Sequence, residues 1–338
     1  MIKTIIYSCV FFNEKYINLI NLLLKSYKLF GNSLYDVDYL IICNPNFQKK
    51  IQAIFDNLNI SGKIWCIDLK TKFEAGYSRL KIFDYPDINF YNKILYLDCD
   101  ILVTNSINNI FDFKLKNKLY ALQEGRTDRV SHGKQFFDNN PNCSAFTSGI
   151  LLFNNNIIIK DLFSQILLHI HNHITSMLPI PGCLDQPFIV YHAVKNNLYD
   201  NKKLINIVIN NPNNFNNETI SHFPGGVGHY ESKLVKMNNF MNNVMFNVTN
   251  KEVIPEIICR TNKTQLLNKK YVWENSNIEF LENGKMKAFG SGKYRFIDKY
   301  LVKCLFGGKE HLLKFNGNYS RFISIRKYDF EVVVGNHL

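Results

Sequence analysis

The sequence predicts an α/β fold, a mostly parallel, doubly wound sheet, followed by a small all-β unit at the C-terminus. Three observations lead there. Apolar β-branched runs alternate with amphipathic stretches through the first hundred residues. After Tyr271 the texture changes to short runs separated by Gly and Asn turn signals. The chain has 338 residues, 46% hydrophobic and 20% charged, which suits about two globular domains. That balance excludes a disordered, collagen-like or coiled-coil chain.

Residues 3–10 form the first predicted strand. Tyr16, Leu19, Ile20, Leu23, Leu24 and Tyr27 then recur at helical spacing, with Gly31 as a stop. Residues 37–43 read as the second strand, and Pro45 opens a helix running to about Leu58. Residues 64–69 and 93–97 are the third and fourth strands, with a helix at 78–85 ending before Pro86. The polar stretch 124–142 reads as a loop whose length points to function. A strand at 145–153 and helices at 157–177 and 185–194 follow. Residues 237–270 show no single period. In the tail, runs at 278–281, 285–289, 301–306, 311–315, 321–325 and 331–334 read as hairpin strands. The expected division is an α/β domain at 1–250, a linker at 251–269 and a β-rich domain at 270–338.

The charge balance narrows the partner. Forty basic and 28 acidic side chains give +12, which favours an anion: nucleic acid, an anionic membrane or a phosphorylated small molecule. The basic residues are scattered and carry no nucleic-acid-binding signature, so no nucleic-acid partner is expected. The apolar run 5–12 is broken by Asn13, Glu14 and Lys15 and reads as a strand rather than a signal peptide. No other run is long enough to span a bilayer. Eight single cysteines without a CxxC pair suggest buried reduced thiols and a cytoplasmic protein. There is no GxGxxG, Walker loop or GxSxG elbow. His169, His171 and His173 lie two apart in a helical stretch, so they are not expected to share a face or a metal.

Asp98-Cys99-Asp100 stands directly after the apolar strand Ile94–Leu97. Two hard carboxylates one residue apart can hold Mg2+ or Mn2+ against a diphosphate. Chance alone supplies about one Asp-x-Asp in such a chain, and Asp36-Val37-Asp38 is a second copy. The second copy precedes its strand, whereas Asp98 and Asp100 follow theirs, where open α/β sheets bind ligands. His222, in His222-Phe223-Pro224-Gly225, could complete a metal site, and the glycines there could close on phosphate. Asp185-Gln186 at a helix start reads either as a first-turn charge or as a pair facing a sugar. Arg79 is either a solvated cation or a ligand contact. Tyr16 is either a base-stacking ring or part of its helix core stripe.

In order, these pieces resemble glycosyltransferase family 8, the glycogenin-like retaining transferases. The matching stretches are Val10 to Tyr16, Ser78-Arg79-Leu80, Ile94 to Asp100, Ile107 to Phe111, Thr147-Ser148-Gly149-Ile150, Asp185-Gln186 and His222 to Gly225. The resemblance covers about residues 1–250. It implies a GT-A fold, Mn2+ (or Mg2+), a UDP-hexose donor such as UDP-glucose, a glycan or protein acceptor, and allows a homodimer. It also implies that Asp98, Asp100 and His222 ligate the metal, and that Val10, Asn13, Tyr16, Arg79, Cys99 and Gly225 line the donor. Asp185, Gln186 and Arg79 would face the transferred sugar. Two positions depart from the family. Gly228 stands where a diphosphate-binding lysine is usual, so Lys233 would have to reach back, and Thr147 replaces an Asn. The Asn/Ile/Lys-rich usage is similar to that of large DNA viruses, which would place the protein in host cytoplasm or a virion.

Overall fold

A computed structural model describes residues 3–31, 33–139, 142–225, 229–250, 265–267, 269–273 and 276–338. The first unit runs β1 (Lys3–Val10), α1 (Lys15–Phe30), β2 (Asp36–Cys43), α2 (Gln48–Leu58), β3 (Gly62–Cys66), α3 (Lys72–Tyr77), β4 (Lys93–Leu97), β5 (Ile101–Val103), α4 (Asn108–Phe111), β6 (Leu119–Arg126) and β7 (Ser144–Asn154). It continues through α5 (Ile157–Thr175), α6 (Gln186–Lys195), β8 (Tyr199–Asp200), β9 (Val208–Asn210), β10 (Ile220–His222) and α7 (Tyr230–Asn250). The main sheet has the order β3-β2-β1-β4-β7-β6-β8. Its first four strands are parallel, and β7 lies antiparallel between β4 and β6. The mixed, mostly parallel α/β sheet is the architecture expected from the sequence.

Each sheet face buries a core. One face packs Leu19, Ile20, Leu23 and Leu24 of α1 and Ile51 and Phe55 of α2 over β1 and β2. The other packs Ile159, Phe163 and Ile166 of α5 and Phe188 of α6. Each fully buried Leu, Ile or Phe contributes about 1.5–3 kcal/mol. None of the described helices is long and apolar enough to cross a membrane. The described cysteines are all free, whereas Cys259 lies outside the described residues.

Several boundaries differ from the sequence reading. The third strand ends at Cys66 rather than Leu69. The predicted helix at 78–85 is instead a 3-10 segment, Ser78–Asp84, continuing from α3, which a Thr71/Glu74 capping box opens. Helix α7 carried no clear period because asparagines interrupt it, yet Met237, Phe240, Met241, Val244 and Met245 form a buried stripe at helical spacing. Packing against α1 overrides the poor propensity of asparagine. His169 and His173, four apart, do share a face and pack on Phe188, while His171 is exposed.

The tail is a closed antiparallel barrel of eight strands: β11 (Lys270–Trp273), β12 (Ser276–Phe280), β13 (Lys285–Lys287), β14 (Ser291–Phe296), β15 (Leu301–Phe306), β16 (Lys309–Phe315), β17 (Arg321–Arg326) and β18 (Val332–His337). β11 and β14 are additions to the six strands read from the sequence. Closure pairs β11 with β18 and removes both edges. The interior is aromatic, with Tyr271, Trp273, Phe280, Phe315 and Phe322. Outward-facing Leu301, Leu312, Ile323 and Ile325 join the core of the first unit instead.

Gly335 faces Phe322 across β17 and β18, and a Cβ built there would fall 2.1 Å from the ring. Gly335→Ala must therefore push Phe322 out of the barrel core. A loss of about 1–3 kcal/mol is expected in denaturant unfolding, and an unchanged midpoint would contradict the packing.

Candidate active site

Strands β1 to β4 run in one direction, so their carboxyl ends share one edge of the sheet. Asp98 begins directly beyond β4. Its N–H donates to the carbonyl of Gly149 on β7 at 2.9 Å, which pins the turn to the antiparallel neighbour. Three residues on, the chain enters β5, and β10 pairs with it antiparallel, His222 opposite Ile101. The Phe223 N–H donates to the Asp100 carbonyl at 2.9 Å. These two pairings bring Asp98, Asp100 and His222 together, with one possible ligand atom from each lying within 4.8 Å of the others. The decoy pair sits at the opposite end, at the start of β2. There Asp38 accepts from Tyr91 and pairs with Lys3 and Lys63, a structural role.

The three groups are held differently. His222 is buried, and its Nδ1 lies 2.8 Å from Asn210 Oδ1, leaving Nε2 turned to Asp100 Oδ1 at 3.5 Å. Asp100 Oδ2 pairs with Lys233 Nζ at 2.6 Å. Asp100 Oδ1 is buried with no hydrogen-bond partner among the described residues. Burial pushes the Asp100 carboxyl up, but the His222 and Lys233 contacts outweigh it and hold the group down at about 2. Asp98 accepts from Tyr96 and lies 3.4 Å from Arg79 Nη1. A Cβ on Gly149 would lie 2.8 Å from the His222 ring and 3.1 Å from Asp98, so only glycine leaves the cluster room. A buried carboxylate oxygen without a hydrogen bond, beside a second carboxylate and an imidazole nitrogen, fits a divalent cation.

Arg79 is the second centre. It is 9% exposed and stacks on Tyr96, with its guanidinium carbon 4.6 Å from the ring centroid. Nη1 donates to the Ser148 carbonyl at 2.8 Å and Nε to the Gly76 carbonyl at 3.1 Å. Nε also lies 3.0 Å from Asp185 Oδ2, an electrostatic contact, since its proton points at Gly76. The solvated-cation reading of Arg79 is therefore overturned. The Asp185 side chain likewise makes no cap hydrogen bond at the start of α6. It is 2% exposed, and Leu184 before it is forced to a φ of 51°. Burial raises the Asp185 carboxyl to about 6, with Asp98 adding to the rise and Arg79 opposing it. Gln186 Oε1 accepts the Ser148 N–H at 3.0 Å, and its amide donates to the Ser131 carbonyl at 3.3 Å. Thr147 Oγ1 accepts the Gly149 N–H.

The remaining candidates line the same sheet edge. Val10 ends β1 and is fully buried, so only its backbone can meet a ligand. Cys99 is buried and donates to the Cys9 carbonyl. Phe12, at a φ of 59°, turns the chain into Asn13, whose side chain accepts from Lys15 N–H. Tyr16 packs edge-on to Tyr230 of α7 at 4.7 Å. Gly225 is exposed beside Lys233, and Gly228 lies outside the described residues. Asn210, Tyr96 and Ser148 were not picked out as site residues from sequence. Asn210 carries no signal, being one of many asparagines in its loop.

The sequence model of glycosyl transferase family 8 matches residues 39–226, more than half of the chain. The chain belongs to glycosyl transferase family 8. Members of this family are glycosyltransferases, which take a nucleotide-sugar donor and an acceptor. Comparison with curated protein sequences finds no match. Among solved structures, the chain is similar to the bifunctional glycosyltransferase WbbM (13% identity, TM-score 0.48, 72% of this chain and 51% of that one). It is also similar to the galactosyltransferase LgtC in complex with donor and acceptor sugar analogs (18%, 0.48, 75% and 98%). A third is the glycosyltransferase GlyE of Streptococcus pneumoniae TIGR4 (15%, 0.45, 71% and 64%). The chain thus spans about half the length of WbbM.

Asp185 supplies a pH test. Its folded value of about 6 exceeds the unfolded value of about 3.9, so the native state binds this proton more tightly. The stability it contributes is fully present below about pH 4 and is lost as pH rises through about 6. Relative to Asp185→Asn, the parent protein should lose stability across that window in metal-free unfolding titrations. Parallel curves for the two proteins would refute the assignment.

Proposed function

We propose that this family 8 enzyme is a retaining, Mn2+-dependent transferase that moves glucose from UDP-glucose to a hydroxyl of a glycan or protein acceptor. The observation that carries the reading is the Asp98–Asp100–His222 group set beside Arg79, Asp185 and Gln186. Asp98, Asp100 and His222 would hold the metal, with Asn210 orienting the imidazole. When bound, the metal would neutralise the departing diphosphate. Lys233 lies on the same side of the cluster and would supply the phosphate cation that Gly228 cannot. Gly225 would let backbone approach the diphosphate. Val10, through its backbone, with Asn13 and Tyr16 would receive the uridine, and Cys99 would contribute main chain only.

On the sugar side, Arg79 is locked by Ser148, Gly76 and Tyr96, so its charge is already oriented before substrate arrives. Gln186 is held through both ends of its amide, which leaves it a positioning group for the hexose. Asp185 is 2% exposed and ion-paired, which favours attack by the acceptor on the face the diphosphate leaves, rather than a covalent intermediate on Asp185. The alternative, a non-catalytic relative that binds glycan or protein, would draw on the lysine missing at Gly228, and Lys233 beside Asp100 favours the enzyme instead.

Thermal unfolding with UDP should show a stabilisation that depends on Mn2+. Asp100→Asn should abolish both that shift and UDP release from UDP-glucose, by about a hundredfold or more. Full turnover in this variant with Mn2+ present would sink the reading. Gly149→Ala should weaken Mn2+ binding, measured by calorimetry, because its Cβ would displace the His222 ring.

A further inference from the structure

A cavity of about 270 Å3 opens where the barrel meets α1, α2 and β2. Its polar wall is Lys28 from α1, Asn59 and Ser61 after α2, and Lys314, Asn316 and Arg321 from the barrel. Three cations face it, and no carboxylate is among its described lining residues. It shares no residue with the Asp98 cluster.

These cations are not neutralised in the usual way. Lys314 is 8% exposed, and its Nζ has no hydrogen-bond partner among the described residues. Strand alternation sends Leu313 and Phe315 into the barrel and Lys314 outward to the joint. Its nearest acid, Asp298, is 3.6 Å away and half-exposed, and its other oxygen accepts from the Tyr300 and Leu301 N–H groups. Arg321 donates from Nη1 to Asn59 Oδ1 at 3.0 Å, while its Nε is buried without a partner among the described residues. Lys28 Nζ donates to the Asn59 carbonyl at 2.9 Å. Burial, then the charges of Lys314 and Arg321, pull the Lys28 ammonium down to about 8. A buried cation with so little counter-charge destabilises a fold, and such a residue is rarely left so.

We propose that this joint is a binding site for a small phosphate monoester, a sugar phosphate. A phosphate ester carries a charge of about −1.5 to −2 and three strong acceptor oxygens, which match the free donors of Lys314, Arg321 and Lys28. The cavity is larger than a phosphoryl group needs. Asn316 and Ser61 offer amide and hydroxyl partners for the hydroxyls of an attached sugar, and Tyr27 and Tyr39 give it an apolar wall. Because both units line the site, its ligand would stiffen their junction. The proposal does not depend on the donor or the metal at the catalytic edge.

The test uses the full chain without metal, at constant ionic strength set with sodium chloride. Thermal unfolding is followed with inorganic phosphate, glucose 6-phosphate and glucose. Both phosphates should raise the midpoint saturably, glucose 6-phosphate at lower concentration, and glucose should not. Lys314→Met should raise the midpoint of the ligand-free protein, by removing a buried ammonium whose acid partner is 3.6 Å away and half-exposed, and weaken both phosphates at least about tenfold. Arg321→Gln and Lys28→Met should weaken them too, and they keep the test decisive if Lys314→Met does not fold. The proposal fails if the parent shows no saturable shift with either phosphate, if glucose acts equally, or if the folded variants bind as the parent does.

Discussion

A buried guanidinium organises the candidate active site. Arg79 comes from the 3-10 segment after α3, Asp98 from the end of β4, Ser148 from β7 and Asp185 from the start of α6. Each belongs to a different part of the chain, and each is held where it is by the same cation. A charge taken out of water is tolerated only with its counter-charges and hydrogen bonds in place. The demand works in both directions. It drags two carboxylates to one point, and it keeps Asp185 off the helix cap that its position in sequence suggests. Tyr7 reinforces the arrangement by donating to the Arg79 carbonyl.

The single antiparallel strand in the middle of the sheet is the geometric counterpart of that charge. Strand β7 enters beside β4 with its N-terminal half at the ligand edge, so Ser148 and Gly149 meet Asp98 from across the ladder. A parallel neighbour would have presented its carboxyl end there and needed another crossover. The small β5-β10-β9 sheet then adds the imidazole, already oriented by Asn210. The metal-binding reading therefore rests on two sheets meeting, and neither holds the group alone.

The barrel is joined by apolar contact. Leu312, Ile323 and Ile325 point outward from it and continue the core beneath α1 and α2, and Lys25 donates to the Phe330 carbonyl. Against that apolar seam, the cationic cavity at one end stands out. The +12 charge first suggested an anionic partner in general terms. Part of it is now located: Lys28, Lys314 and Arg321 gather at the joint, while Arg79 and Lys233 are already answered by carboxylates.

Some of this was legible in sequence because the signals were local. An apolar strand ending in Asp98-Cys99-Asp100 fixes which way the carboxylates lie along that strand, and the β/α rhythm makes its far end the ligand edge. Asp36 and Asp38 could be set aside by the same reasoning. The helix α7 was hidden, since asparagine propensity argues against a helix that only packing on α1 sustains. Asp185 and Arg79 could be named, but their partnership could not. Tertiary structure decided the rest. Lys233 reaches Asp100 across 133 residues, and Arg321 reaches Asn59 across 262. No spacing rule spans such distances, because these pairs are made by the packing of sheets and barrel. By itself, then, the sequence determined the kind of chemistry, through residue types at a strand end. Folding alone decided which charges meet and which remain unpaired.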